Sequence, residues 1–255
     1  MAKETEISWT DHTINPWIGC NRVSEECRNC YAATMEGRYG RAVWGKATPR
    51  YLTKGAEKQA YALNRSAERN GVRKKTFCAS MSDFFEDHAE VAETRKKWWK
   101  IIKDCTNLDW LVLTKRSHKI AGFLPEDFFS GQYSHVNLGV SVGVRTSMIR
   151  LDHLRAIPDW GGLRWVSMEP LLESLNGVDL TNIAWAVVGG ETTVGNDFRV
   201  MQESWVDEIR DACKTHGATF FFKQTSGRNG TTEKTFKGEQ IYHFPKFRFP
   251  LPTVA

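Results

Sequence analysis

Three cysteines fall within one short run, Gly19-Cys20-Asn21-Arg22-Val23-Ser24-Glu25-Glu26-Cys27-Arg28-Asn29-Cys30-Tyr31, with the spacing C-x6-C-x2-C. Three thiolates can hold three irons of a cubane and leave the fourth iron open, and an open coordination position lets a metal site do chemistry. Two other readings of the same residues stay open. Structural zinc takes four ligands, usually in pairs; no second Cys or His pair stands at zinc spacing, although His12 is close in sequence. The third reading is three unrelated buried cysteines, which the tight spacing disfavours. Cys78, Cys105 and Cys213 stand alone, and six Cys in 255 residues is not disulfide density. In a reducing compartment a local Cys cluster reads as metal or redox chemistry.

Such a loop needs a rigid frame, and the chain alternates strand and helix signals along most of its length. Extended segments are expected over 6–17, 75–81, 110–113, 136–142, 164–168, 183–188 and 219–222. Helices are expected over 30–41, 92–105, 118–123, 147–156 and 203–216. The last of these puts Trp205, Ile209, Ala212 and Cys213 on one face and ends at Gly217. Short apolar strands followed by helices suit a parallel sheet buried on both faces. Polar residues gather where strands end: Ser80, Ser82 and Asp83; Thr114, Lys115 and Arg116; Ser141; Glu169; Gly189, Gly190 and Glu191; Lys223 and Gln224. A β/α barrel and a doubly wound sheet both carry their ligands at those ends, so this pattern alone does not separate the two folds.

The net charge of +5 is unevenly spread. Between Gly40 and Lys75 stand ten bases (Arg41, Lys46, Arg50, Lys54, Lys58, Arg65, Arg69, Arg73, Lys74, Lys75), opposed only by Glu57 and Glu68. This asymmetry points to a polyanionic partner, with a solvated helix face as the alternative. No run reaches the roughly 18–20 apolar residues a membrane span needs, and Met1 to Ser8 carries no signal-peptide core. The cytoplasm is the expected compartment.

The opening Ile7-Ser8-Trp9-Thr10-Asp11 and Asn15-Pro16-Trp17-Ile18-Gly19-Cys20, followed by Cys27-Arg28-Asn29-Cys30-Tyr31-Ala32, resembles a phage-associated three-cysteine family assigned to the radical SAM superfamily. The likeness continues through Met81-Ser82-Asp83-Phe84-Phe85, Leu113-Thr114-Lys115-Arg116, Gly139-Val140-Ser141-Val142, Ser167-Met168-Glu169-Pro170-Leu171, Val188-Gly189-Gly190-Glu191 and Phe221-Phe222-Lys223-Gln224. It implies a partial β/α (TIM-like) barrel over 1–224, with a cluster loop at 19–31, a basic insertion at 40–75 and a C-terminal extension over 225–255. It also implies a 4Fe-4S cluster on Cys20, Cys27 and Cys30, S-adenosyl-L-methionine on the unique iron, a 5′-deoxyadenosyl radical, and a flavodoxin-like electron-donor reductase. If the protein is phage-encoded, its compartment is the host cytoplasm.

Two departures stand out. The superfamily's usual loop is C-x3-C-x2-C, three residues shorter, and the residue before the last Cys is commonly aromatic; here it is Asn29, with Tyr31 following. The resemblance implies contacts to the methionine moiety from Ser80, Ser82 and Asp83, after the second strand, and Tyr31, Lys115 and Ser141 are further expected cofactor contacts. The superfamily's Gly-Gly-Glu role is not carried over, because here the turn follows roughly the sixth strand; Gly189, Gly190 and Glu191 are expected at the cofactor on their own chemistry, glycines letting the backbone approach a ligand and a strand-end carboxylate binding an ammonium. Arg116, Glu169 and Lys223 are expected to meet substrate, the alternative for Glu169 being a salt bridge to a neighbouring base. Trp17 and Trp44, in loops near the cysteines, are expected to stack on a base. The function expected is rearrangement of a hypermodified thymine in phage DNA. The alternatives are a radical SAM enzyme acting on a peptide or small metabolite, and a nucleic-acid-binding protein with a structural metal site.

Overall fold

The computed structural model describes residues 5–40 and 42–247. Its frame is a sheet of seven parallel strands: β1 (His12–Ile14), β2 (Lys74–Cys78), β3 (Leu108–Thr114), β4 (Val136–Ser141), β5 (Arg164–Met168), β6 (Trp185–Gly189) and β7 (Thr219–Gln224). Their spatial order equals their chain order, and every neighbouring pair is parallel. Stepping in one direction at each crossover curls the sheet into a half-barrel, with β1 and β7 as its two edges. The helices are α1 (Ala56–Arg69), α2 (Ala89–Asp104), α3 (Ile120–Phe123), α4 (Ile149–Arg155) and α5 (Glu203–His216). Gly217, at φ 72°, closes α5 in the left-handed conformation that glycine adopts without cost.

Side-chain alternation divides the strands between two cores. Trp110 and Val112 of β3 and Val166 and Met168 of β5 point outward to the layer shared with the helices. Phe77, Leu111, Trp165, Val187 and Phe221 point inward, where Trp9 packs on them. Trp9 lies 4.7 Å from Phe77 and 5.3 Å from Trp165, and Phe221 stacks on Tyr242 at 4.6 Å, so the N-terminal segment and the region after β7 plug the inside of the curl with aromatic rings. Gly139 makes this possible: a Cβ there would lie 2.3 Å from the Trp165 ring. The plug fills one end of the barrel and leaves the carboxyl ends of the strands for chemistry.

The segment expected as a helix over 30–41 is instead a 3-10 stretch, Ala33–Tyr39. The basic region also resolves differently from a single charged face. Arg50 is buried against Glu86, Arg73 pairs with Asp109 and Lys75 with Asp11, whereas Lys54 and the α1 residues Lys58, Arg65 and Arg69 are exposed; Arg41 lies outside the described residues. No helix among the described residues is long and apolar enough to cross a membrane.

His135, just before β4, is buried, and its Nε2–H donates to the Ile102 carbonyl at 2.8 Å. Burial pushes its imidazole down to about 4. An unfolded chain takes up this proton near pH 6.5 and the folded chain near pH 4. Stability is therefore complete above pH 6.5 and falls as the pH drops, by about 2–3 kcal/mol between pH 7 and 4.5. Urea unfolding at the two pH values measures the slope, and His135→Gln, which keeps a donor for Ile102, is expected to flatten it.

Candidate active site at the mouth of the half-barrel

Cys20 is set by a short antiparallel pairing, Trp17–Ile18 with Tyr51–Leu52, and by Gly19, which bridges to Ser82 and donates its N–H to Met81 O at 3.0 Å. Gly19 has φ 109°, and a Cβ there would lie 2.2 Å from Val43 O, so no other residue fits without moving the loop. A 3-10 turn over Glu25–Cys27 brings Cys27 round, and Cys30 O accepts the first two N–H groups of the next 3-10 stretch.

The three cysteines then line one cavity of about 130 Å³ together with Tyr31, Trp44, Ser80, Ser82, Asp83, Lys115, Arg116 and Ser141. A second cavity of about 140 Å³ shares Cys30, Tyr31, Lys115 and Ser141 and adds Asn29, Glu169, Gly190, Glu191 and Lys223. Nearly all the expected site residues, separated by up to 203 positions in the chain, thus meet at the carboxyl ends of β2 to β7. Among the described residues, no three His, Cys, Asp or Glu side chains converge as a single-ion site requires.

Several contacts define what each residue can do. Tyr31 donates its hydroxyl to Ser80 O at 2.7 Å, and Lys115 Nζ donates to Ser141 Oγ at 3.1 Å. Ser82 Oγ is buried with no partner. A buried hydroxyl costs free energy unless something bonds it. Burial, together with the Asp83 and Glu86 carboxylates, pushes the Cys20 thiol up to about 12, against the opposing pull of Arg116.

Two expectations need correction here. Trp17 is fully buried and stacks on Phe84 at 5.6 Å, so it belongs to the core and cannot reach a base. Glu191 is also engaged: it accepts from Asn29 Nδ2 at 2.9 Å and from the Arg199 N–H at 2.9 Å, and pairs with the Arg199 guanidinium. Because Arg199 also donates to Glu25 O at 3.1 Å, this carboxylate clamps the cysteine loop to the end of β6 rather than awaiting an ammonium group. Glu169 forms the salt bridge foreseen as its alternative, with Lys223. Gly189 lines neither cavity but leaves room for the Glu169 side chain, which a Cβ would approach at 3.3 Å.

Sequence reasoning missed Glu26. It is buried, stands between Cys20 and Cys27 in the chain and lines both cavities, and its Oε1 accepts from Arg150 at 2.9 Å and Gly143 N at 3.2 Å. Burial raises its carboxyl, but Arg150 opposes this and the net result is about 2, so it is ionised. The only signal was an acid inside the cysteine run; its partners lie 117 and 124 residues away.

The family described as a protein of unknown function, DUF5131, matches residues 4–243. No curated protein sequence matches the chain. Solved structures of spore photoproduct lyase are similar. A cysteine-to-alanine mutant has a TM-score of 0.57 at 13% identity, covering 87% of this chain and 78% of that one. A cysteine-to-serine mutant has 0.50 at 17%, covering 91% and 70%. A cysteine-to-alanine mutant with dinucleoside spore photoproduct has 0.48 at 14%, covering 85% and 64%, so this chain spans less than two thirds of its length. At such identities the likeness is one of fold, a partial β/α barrel.

Proposed function

The chain belongs to the DUF5131 family, and we propose that it is a radical S-adenosylmethionine enzyme acting on a modified or damaged pyrimidine in DNA. The observation that carries the reading is the meeting of Cys20, Cys27 and Cys30 around one cavity at the open mouth of a parallel half-barrel. The donor set suits a cubane, because each thiolate of such a cluster binds a different iron and the sulfurs need share only a cavity, not a centre. The orphan hydroxyl of Ser82 on the same wall fits a second ligand beside it.

When bound, the 4Fe-4S cluster and S-adenosylmethionine supply reductive cleavage of the sulfonium and a 5′-deoxyadenosyl radical. The protein's part is binding, orientation and exclusion of water. Lys115, held by Ser141, offers a cation to a carboxylate. Tyr31, anchored on Ser80 O, walls both cavities. The Glu169–Lys223 pair in the second cavity presents both charge signs to a substrate entering from the mouth.

The DNA part of the reading rests on the exposed cations Lys58, Arg65 and Arg69, which follow one side of α1 at helical spacing, and on exposed Lys54 in the turn before it. A duplex substrate has to flip its base into the mouth. Rearrangement of a hypermodified thymine is the specific reaction we favour. In the test, reconstituted enzyme, dithionite and S-adenosylmethionine are incubated with oligonucleotides that do or do not carry the modified base. Release of 5′-deoxyadenosine stimulated only by the modified DNA, with a change in the base, is expected. Four phosphate contacts predict affinity falling about 100-fold between 50 and 200 mM salt. Equal turnover of unmodified DNA, or turnover without DNA that ignores salt, would sink this substrate.

A further inference from the structure

Of the three cysteine thiols, Cys20 has a buried cation against its sulfur. Arg116, at the end of β3, is 5% exposed, and its Nη1 lies 3.4 Å from Cys20 Sγ while also donating to Asp83 Oδ2 at 2.8 Å. Its Nη2 donates to Asn21 O at 3.0 Å and Asn21 Oδ1 at 2.8 Å, and lies 3.4 Å from Glu86 Oε1. The backbone beneath is tied as firmly: Arg116 N donates to Thr114 Oγ1 and Lys115 N to Asp83 Oδ2, while Thr114 Oγ1 donates to Asp83 Oδ1 at 2.7 Å. By contrast, Cys27 Sγ has the neutral Ser24 hydroxyl near it, at 3.8 Å. The guanidinium expected to meet substrate is therefore turned into the protein, with every strong acceptor around it already engaged.

We infer that Arg116 is a positioning residue that sets the reduction potential of the iron–sulfur cluster through its N–H···S contact with Cys20. The inference rests on the cluster reading above. A cationic donor to a ligand sulfur stabilises the reduced cluster, which carries one more negative charge, and so raises its potential. In a buried setting the effect is screened little. Asp83 shares the same Nη1 and draws that positive charge away from the sulfur. Arg116 and Asp83 therefore act on the potential with opposite signs. A residue that only stabilised the loop would have no reason to show that pattern.

The experiment is an EPR-monitored redox titration of the reconstituted full-length protein, without S-adenosylmethionine or DNA, with iron and sulfide counted in each sample. The proteins compared are wild type, Arg116→Met, Arg116→Lys and Asp83→Asn. At the wild-type midpoint, Arg116→Met is expected to hold about tenfold less reduced relative to oxidised cluster, a midpoint 59 mV more negative. Arg116→Lys, which keeps the charge but not the fork of donors, is expected to fall between, and Asp83→Asn to shift the other way. Arg116→Met leaves two buried carboxylates short of a partner and risks unfolding; if it does not fold, the opposite shifts of Arg116→Lys and Asp83→Asn carry the test. Unchanged midpoints, or Arg116 and Asp83 variants shifting in the same direction, would overturn the inference and leave the cluster reading standing. A wild-type protein that takes up no cluster would overturn both.

Discussion

Anaerobically reconstituted Cys27→Ala protein is expected to bind less iron than wild type and to release no 5′-deoxyadenosine above the uncatalysed background. Even outer partners of metal ligands cost about 10–100-fold when removed, so loss of a ligand itself falls beyond that range. Cys27 sits on a 3-10 turn whose backbone bonds, Cys27 N to Ser24 O and Arg28 N to Glu25 O, do not involve its side chain. The turn should survive the substitution, and the loss then reports ligation rather than folding. Cys213→Ala is the control: Cys213 is buried on α5, far from the mouth in the fold, and burial pushes its thiol up to about 12. It should keep wild-type iron content. Zinc in place of iron in the wild type, with no 5′-deoxyadenosine released, would remove the radical reading and leave a structural metal site.

Arg50→Ala is expected to be the most destabilising single change near the site. The Arg50 side chain is wholly buried; Nε and Nη2 each donate to Glu86 at 2.8 Å, Nη1 to Val43 O at 3.2 Å and Nη2 to Gly45 O at 3.0 Å. Glu86 in turn accepts from Asn21 N at 3.2 Å, beside Cys20. Removing the guanidinium leaves the buried Glu86 carboxylate with Arg116 alone as its cation, at 3.4 Å, and several carbonyls unsatisfied, a loss of about 3–5 kcal/mol. For a chain of this size that lowers Tm by roughly 10 °C. Thermal unfolding followed by circular dichroism checks it. The double variant Arg50→Met with Glu86→Leu should recover part of the loss, because a buried ion pair is stabilising mainly relative to half of itself. A drop in Tm no larger than that of a surface substitution would mean the pair is open to water.

The strand pattern was the part of the fold most open to sequence reading. All seven expected extended segments became strands of one sheet, because short apolar runs buried on both faces carry a local signature. The local 3-10 geometry after Cys30 was not read from the sequence, although Gly37 within the stretch and Gly40 at its end weaken a regular helix there. Trp17 was misread for a different reason: its neighbours Pro16 and Gly19 mark a loop, but its ring finds Phe84 across 67 positions.

The site divides in the same way. The cysteine spacing and the polar residues at strand ends were written in the chain, because ligand count and the two-residue period of strands are local properties. The choice between a doubly wound sheet and a curled half-barrel was not, and neither was the partner of any charged group. Strand order depends on which edge each crossover returns to. Ion pairs such as Arg116–Asp83, Arg150–Glu26 and Arg50–Glu86 join residues 33, 124 and 36 positions apart, which only the closed sheet brings within hydrogen-bond distance. The sequence by itself determined the spacing of the three cysteines and which polar residues follow each strand. The tertiary structure decided which of the surrounding charges face the cavity and which face each other, because that depends on distances through space and on burial, to which spacing along the chain is blind.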